Sequence, residues 1–273
     1  MQKTFSTPNP VSLYVEVGSG GVTLHTDETD QTSVDVNGRN EDAVIVEQRG
    51  DEIVVIARQG RSGFFGSSGD LDVHVSLPHF SRVTTKLGSA DLRAMGRLGQ
   101  SMIRTGSGDV MIEDVDGDLA VESGSGDLEV ERITGDLRVK SGSGDVAVQR
   151  VAGDASIATG SGDVELETAG GSVEVKSGSG DLRVRDAQRD VALSTASGDL
   201  LVDRMNRGQL AAKNVSGDIT VGIPAGIPVW TDITSMTGSV RSDLKGAGEP
   251  DEGQDYIELR ARTVSGDVHL EQL

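Results

Sequence analysis

Carboxylates recur in this chain at a fixed spacing. The triplet Ser-Gly-Asp ends at Asp109, Asp127, Asp145, Asp163, Asp181 and Asp199, at a constant interval of eighteen. It returns at Asp218 after one extra residue and at Asp267 after a longer interruption, and Asp91, in GSAD, is a degenerate first copy. Carboxylates in such a series suit three kinds of chemistry: cation binding, polysaccharide cleavage on a sheet face, and acceptance of hydrogen bonds from turn N–H groups or Ser hydroxyls. If the copies stack as strands do, successive carboxylates lie about 4.8 Å apart, and like charges at that distance repel by about 1 kcal/mol in water. A cation or a set of hydrogen bonds must relieve this. The calcium-binding RTX nonapeptide, G-G-x-G-x-D-x-U-x, also builds coils of this length. Here the turn reads G-S-G-D, with Gly and Asp adjacent, which shifts the carboxylate relative to the turn carbonyls. Hydrogen bonding to turn backbone is therefore the expected role. Asp109, Asp127, Asp145, Asp163, Asp181 and Asp199 remain candidate calcium ligands, and no resident metal or cofactor is expected.

Catalytic signals are sparse. The histidines, His25, His74, His79 and His269, show no metal-ligand spacing with one another and sit in no nucleophile motif. Polysaccharide-cleaving solenoids need aromatic or basic subsites, and aromatics are 3% of this chain. The expectation is that the chain is not an enzyme and has no catalytic residues. One segment stands apart: RQGRSGFFGSSG sets Phe64 and Phe65 in a Gly/Ser-rich stretch beside Arg58 and Arg61. The Phe pair either folds back over an N-terminal edge or forms an anchor for a partner. Phe64, Phe65 and Arg61 are the candidate partner contacts.

The elements that must position these residues follow from the same repeat. A weaker Gly-Asp lies midway, at Asp118, Asp136 and Asp154, and decays to Ser172, Asp190 and Gln209. One full copy, Gly126 to Ser143, reads GDLEVERITGDLRVKSGS. Within it Leu128 and Val130 alternate with Glu129 and Glu131, and Leu137 and Val139 with Arg138 and Lys140, which is the period-two pattern of half-buried strands bounded by Gly turns. Two strands and two turns in each copy of the repeat make one coil. The expected fold is all-β: a single-stranded parallel β-solenoid (β-helix), about 18 residues per coil, with irregular N- and C-terminal capping strands. Stacking predicts aliphatic ladders such as Val146, Val164, Leu182, Leu200 and Ile219, with Ile133, Val151, Ala169, Ala187 and Met205 filling a corner. A lone coil buries about five aliphatic side chains, worth roughly 1.5–3 kcal/mol each, against a comparable ordering entropy, so neighbouring coils must cooperate.

The ends depart from this register. Residues 1–80 hold strand-like runs without the Gly-Asp spacing and read as an irregular N-terminal part or antiparallel cap. Residues 81–221 are the regular solenoid. Residues 222–273 read as a C-terminal β cap with an inserted loop, Trp230 plugging the core.

Composition narrows the partners. With 25 Lys+Arg against 44 Asp+Glu the formal charge is -19, which excludes nucleic-acid backbone binding by clustered cations. No cysteine is present, so disulfides and thiolate metal sites are excluded. No apolar run reaches the roughly 20 residues of a membrane-spanning helix, and the start, MQKTFSTPNPVSLYVEV, lacks a signal-peptide core. The sequence therefore reads as cytoplasmic, with envelope association as the alternative.

The SGSGDLxV repeat, the opening VSLYVEVGSGGVTL and the closing SMTGSVRSDL and RTVSGDVHLEQL resemble a bacterial family of β-strand-repeat proteins labelled "putative adhesin" or domain of unknown function. The resemblance covers nearly the whole chain. It implies a β-solenoid, surface display in some relatives, and no catalytic residues. The reading is a non-catalytic scaffold or protein-binding, adhesin-like module. The alternatives are a self-assembling structural or envelope-associated protein, as a homodimer or end to end, and a calcium-binding β-roll.

Overall fold

Strand alternation and Gly turns build the whole architecture. The computed structural model describes residues 1–39, 41–57, 70–246, 248 and 253–273. Contacts divide the chain into two compact units, Met1–Gly135 and Asp136–Leu273.

The first unit holds β1 (Gln2–Ser6), β2 (Ser12–Asp27), β3 (Gln31–Gly38), a 3-10 turn (Glu41–Ala43), β4 (Val44–Arg49), β5 (Glu52–Ala57), β6 (Leu71–Pro78), β7 (Arg82–Leu98), β8 (Ser101–Thr105), β9 (Val110–Val115), β10 (Leu119–Ser125) and β11 (Leu128–Ile133). The long strands β2 and β7 pair in parallel from Ser12↔Arg82 to His25↔Met95. The first half of β2 also pairs in parallel with β5, and the second half with β6. Beyond these the direction reverses: β4 is antiparallel to β5, β3 to β6, and β1 to β3. Lys3 donates to the Val46 carbonyl at 2.7 Å, tying the outer strands β1 and β4 together. Residues 1–80 thus combine a long parallel coil with an antiparallel cap. On the other side of β7 the coils become regular, with Leu92, Val110 and Leu128 in one buried ladder.

The second unit holds β12 (Leu137–Ser143), β13 (Val146–Val151), β14 (Ala155–Ser161), β15 (Val164–Ala169), β16 (Val173–Ser179), β17 (Leu182–Ala187), β18 (Val191–Ser197), β19 (Leu200–Met205), β20 (Gly208–Lys213), β21 (Ile219–Ile223), β22 (Val229–Ser235), β23 (Val240–Ser242), β24 (Ile257–Thr263) and β25 (Val268–Gln272). Strands stack in parallel on the second-next strand, one coil on: Val146↔Val164, Val164↔Leu182, Leu182↔Leu200 and Leu200↔Ile219. Every side chain of that ladder is at most 2% exposed, and Val151, Ala169, Ala187 and Met205 close the corner at 0–1%. The parallel β-solenoid expected from the repeat is the fold.

The C-terminal segment corrects one expectation. After β21 the chain passes over a position, forms β22 and β23, then returns. β24 lies between β20 and β22, and β25 between β21 and β23. The last strands in sequence are therefore not the last in space. Trp230 does not plug the core: it is 53% exposed, with the Arg260 guanidinium 5.8 Å from its ring centroid. Alternation explains this. Val229 and Thr231 align with the buried Ile257 and Leu259, so Trp230 between them points outward.

Candidate functional site

The aspartate columns are the feature that sequence placed at the centre, and the structure gives them a backbone task. In the second unit Asp163 N–H donates to Asp145 Oδ1, Asp181 N–H to Asp163 Oδ1, Asp199 N–H to Asp181 Oδ1 and Asp218 N–H to Asp199 Oδ1, all at 2.8 Å. The carbonyl of the later Asp closes the other half of the pair: Val164 N–H donates to Asp181 O and Leu182 N–H to Asp199 O, each at 2.9 Å. The strand ladder breaks at the turn, and the carboxylate supplies the acceptor that a strand carbonyl would otherwise present. The series runs through the displaced coil, Asp267 N–H to Asp218 Oδ1 at 2.7 Å and Ser239 N–H to Asp267 Oδ1 at 2.8 Å. In the first unit Asp109 N–H donates to Asp91 Oδ1 and Asp127 N–H to Asp109 Oδ1, both at 2.9 Å. The midway column does the same, with Asp154 N–H on Asp136 Oδ1 at 2.9 Å and Ser172 N–H on Asp154 Oδ1 at 2.8 Å. Each charge-assisted bond of this kind also offsets the repulsion along the column.

Two glycines of the turn have different reasons. Gly162 has φ +113, a conformation that side chains rarely adopt, and a Cβ there would overlap the Gly144 carbonyl of the preceding coil. Gly160 needs no such φ, yet its Cβ would approach the Gly142 carbonyl oxygen at 2.5 Å. The tight coil spacing at this corner therefore brings the donor and the carboxylate acceptor within reach.

The remaining titratable groups form surface rows. In the first unit the Tyr14 hydroxyl donates to Glu16 at 2.8 Å, which raises the Tyr14 pKa, with desolvation and the Glu16 charge adding to the effect. Lys86 reaches Glu16 at 3.5 Å, and Arg104 reaches Glu122 at 2.9 Å. Glu16 and Lys86 edge an open hollow of about 480 Å³ beside Val17 and Leu87. Asp114, 6% exposed, lies between Arg97 and Arg132, and its hydrogen bond raises the Arg132 pKa. Sequence reasoning missed this pair, although a carboxylate and a guanidinium one full repeat apart were a legible signal. In the second unit Asp203 likewise raises the pKa of Arg183 through a 2.7 Å ion pair.

The histidines stay apart in role. His79 Nδ1 lies 3.0 Å from Thr26 Oγ1, while His269 sits between Asp243 at 3.2 Å and Glu271 at 3.3 Å. Among the described residues no group of three or more His, Cys, Asp or Glu side chains is placed to hold a metal ion. No described helix is long and apolar enough to cross a membrane. Arg61, Phe64 and Phe65 lie outside the described residues.

The profile of the Toastrack DUF4097 family matches residues 11–271. The chain belongs to this family. The resemblance read from the SGSGD turns and the opening and closing motifs thus holds over nearly the whole chain. No curated protein matches the chain by sequence. Solved structures similar to this Toastrack chain include a "putative adhesin" from Parabacteroides distasonis ATCC 8503, at 11% identity and TM-score 0.46, covering 99% of this chain and 96% of that one. A "putative adhesin" from Bacteroides fragilis NCTC 9343 is 11% identical, with TM-score 0.40 and coverage of 98% and 96%. A "putative lipid binding protein" from Parabacteroides distasonis ATCC 8503 is 12% identical, with TM-score 0.36 and coverage of 100% and 96%.

Proposed function

We propose that this Toastrack chain is a non-catalytic β-solenoid scaffold that binds a protein partner through its exposed sheet faces, as an adhesin-like module does. The observation that carries the reading is the division of labour within each coil. The repeated Asp and Gly maintain the backbone, and the aliphatic residues fill the core. The outward strand positions are left to differ from coil to coil. On the β12–β14–β16–β18–β20–β24 sheet those positions include Arg138, Lys140, Lys176, Lys213, Arg260 and Arg262, all exposed. Lys176 pairs with Glu174 at 2.5 Å, Arg260 with Glu258, and Arg262 with Asp232 at 3.7 Å, so the row is mixed in its middle and at its β24 end. A sheet face with more cations than carboxylates, in a chain of formal charge -19, suits an acidic protein surface. Arg61, Phe64 and Phe65 enter this reading as an additional anchor, on sequence alone.

The Asp columns do not favour the calcium alternative, because the Oδ1 atoms of Asp109, Asp145, Asp163, Asp181 and Asp199 already accept backbone N–H groups.

The test is capture of partners from the source cell by the full chain and by a variant carrying Arg138→Glu, Lys140→Glu, Lys176→Glu and Lys213→Glu. The expected result is loss of the partners that the parent recovers, at an unchanged melting temperature, since exposed charges contribute little to stability. Recovery of the same partners by both would reject this face as the binding surface.

A further inference from the structure

The end of the second unit is left open. Among the described residues β22 has one ladder partner, β24, and β23 has one, β25. Each therefore presents an unpaired edge. Alternation sets Val229, Thr231 and Ile233 in line with Ile257, Leu259 and Ala261, and Val240 with Val268. Those partners are 0% exposed, whereas Val240 is 50% exposed and Val229 and Ile233 are half-buried. Among the described residues no further strand covers this coil, and its inward-facing Thr231 is exposed as well.

That coil also carries exposed apolar side chains: Trp230 is 53% exposed, Met236 72% and Val240 50%. In the first unit only Phe80 and Met111 are comparable among the described residues. Single exposed apolar residues are ordinary, but a cluster around an open core end marks an interface. The strands and turn of this coil, residues 229–242, carry Asp232 and Arg241, a formal sum of zero, whereas residues 243–256 after them carry five carboxylates and one Lys. Asp232 pairs with Arg262 at 3.7 Å, and Asp243 shares His269 with Glu271, at 3.2 and 3.3 Å.

An occupant of this end must offer two strand edges at the spacing of one coil, an apolar centre between them, and no net charge. A single foreign strand would pair with one edge and leave the other open. A second copy of the same coil meets all three requirements, because it has the same cross-section and the same neutral composition. We propose that the chain forms a two-fold dimer through this terminal coil, β22 against β22 and β23 against β23 of the second copy, each pair antiparallel. The contact is isologous, so it closes at two copies and does not propagate. Neutrality matters here: two chains of this net charge repel at long range, and only a low-charge surface lets the edges meet. This dimer does not rest on the proposed partner binding, although β22 lies beside β24, whose Arg260 and Arg262 belong to that face.

Sedimentation velocity on the full chain, over a roughly hundredfold concentration range, reads the association directly. Trp230, the only tryptophan, is a built-in reporter on the same strand. The expected result is a concentration-dependent monomer–dimer equilibrium, with Trp230 emission shifting to the blue as dimer forms. Val240→Asp should leave monomer with unchanged circular dichroism. Met236→Lys alters a side chain that is 72% exposed, so it leaves the packing of the unit intact, and it should weaken the dimer at least tenfold. Monomer at every concentration would overturn the proposal. So would a dimer whose affinity and Trp230 emission ignore both substitutions.

Discussion

Asp163 shows how one side chain serves two coils. Its own N–H is held by Asp145, and its Oδ1 holds the N–H of Asp181. That carboxylates accept turn N–H groups was legible in the sequence, from Asp following Ser-Gly at each corner. That the donor belongs to the next coil was not legible from one copy, because it depends on the stacking register. The glycines beside it are similar: the need for Gly could be read from the turn, the close carbonyl of the preceding coil could not. Two glycines separate these causes. Gly162 and Gly226 both have positive φ, +113 and +83, but only Gly162 faces a backbone atom within reach of a Cβ. Gly226→Ala is expected to cost about 1 kcal/mol, the strain of the conformation alone. Gly162→Ala should cost about 3 kcal/mol or more, because strain and overlap add. Denaturant unfolding of the two variants checks this, and equal losses would mean that close coil approach is not what the repeat glycine serves.

At the scale of elements, the regular coils were readable because hydrophobic period and turn spacing agree at every copy from Leu128 to Leu200, and again at Ile219 after one extra residue. The displaced coil was not. RTVSGDVHL announces a return to register, yet nothing local says that it slots between two strands already made. Trp230 misled for the same reason: a large aromatic near an end reads as a plug, whereas its parity in β22 sends it outward. The spatial order predicts unequal protection within the second unit. Amides of β22 and β23, at an edge with one partner, should exchange much faster in dilute monomer than those of β16, which is held on both sides by β14 and β18. Hydrogen exchange resolved by strand reads this order. Equal protection in β22 and β16 would contradict the assignment of β22 as the terminal strand.

For the whole molecule, composition settled more than any motif. Small aliphatic ladders replace aromatic cores, and the excess of acid is concentrated in columns that the coil itself uses. That the repeat residues are structural is the central claim, and replacement of the column by its uncharged isostere tests it most directly. In Asp145→Asn, Asp163→Asn, Asp181→Asn and Asp199→Asn combined, each amide Oδ1 can still accept the N–H of the next coil, while four like charges are removed. Neutral hydrogen bonds are weaker than charge-assisted ones, and relief of repulsion compensates. The fourfold variant should keep its circular dichroism and melt within a few degrees of the parent, with no shift on adding calcium or EDTA to either. The corresponding Ala variants should lose about 1 kcal/mol per site, from N–H groups left without their protein acceptor. A parent stabilised by calcium, with that stabilisation lost in the Asn variant, would contradict the account, since a ligand bound only by the folded chain must stabilise it.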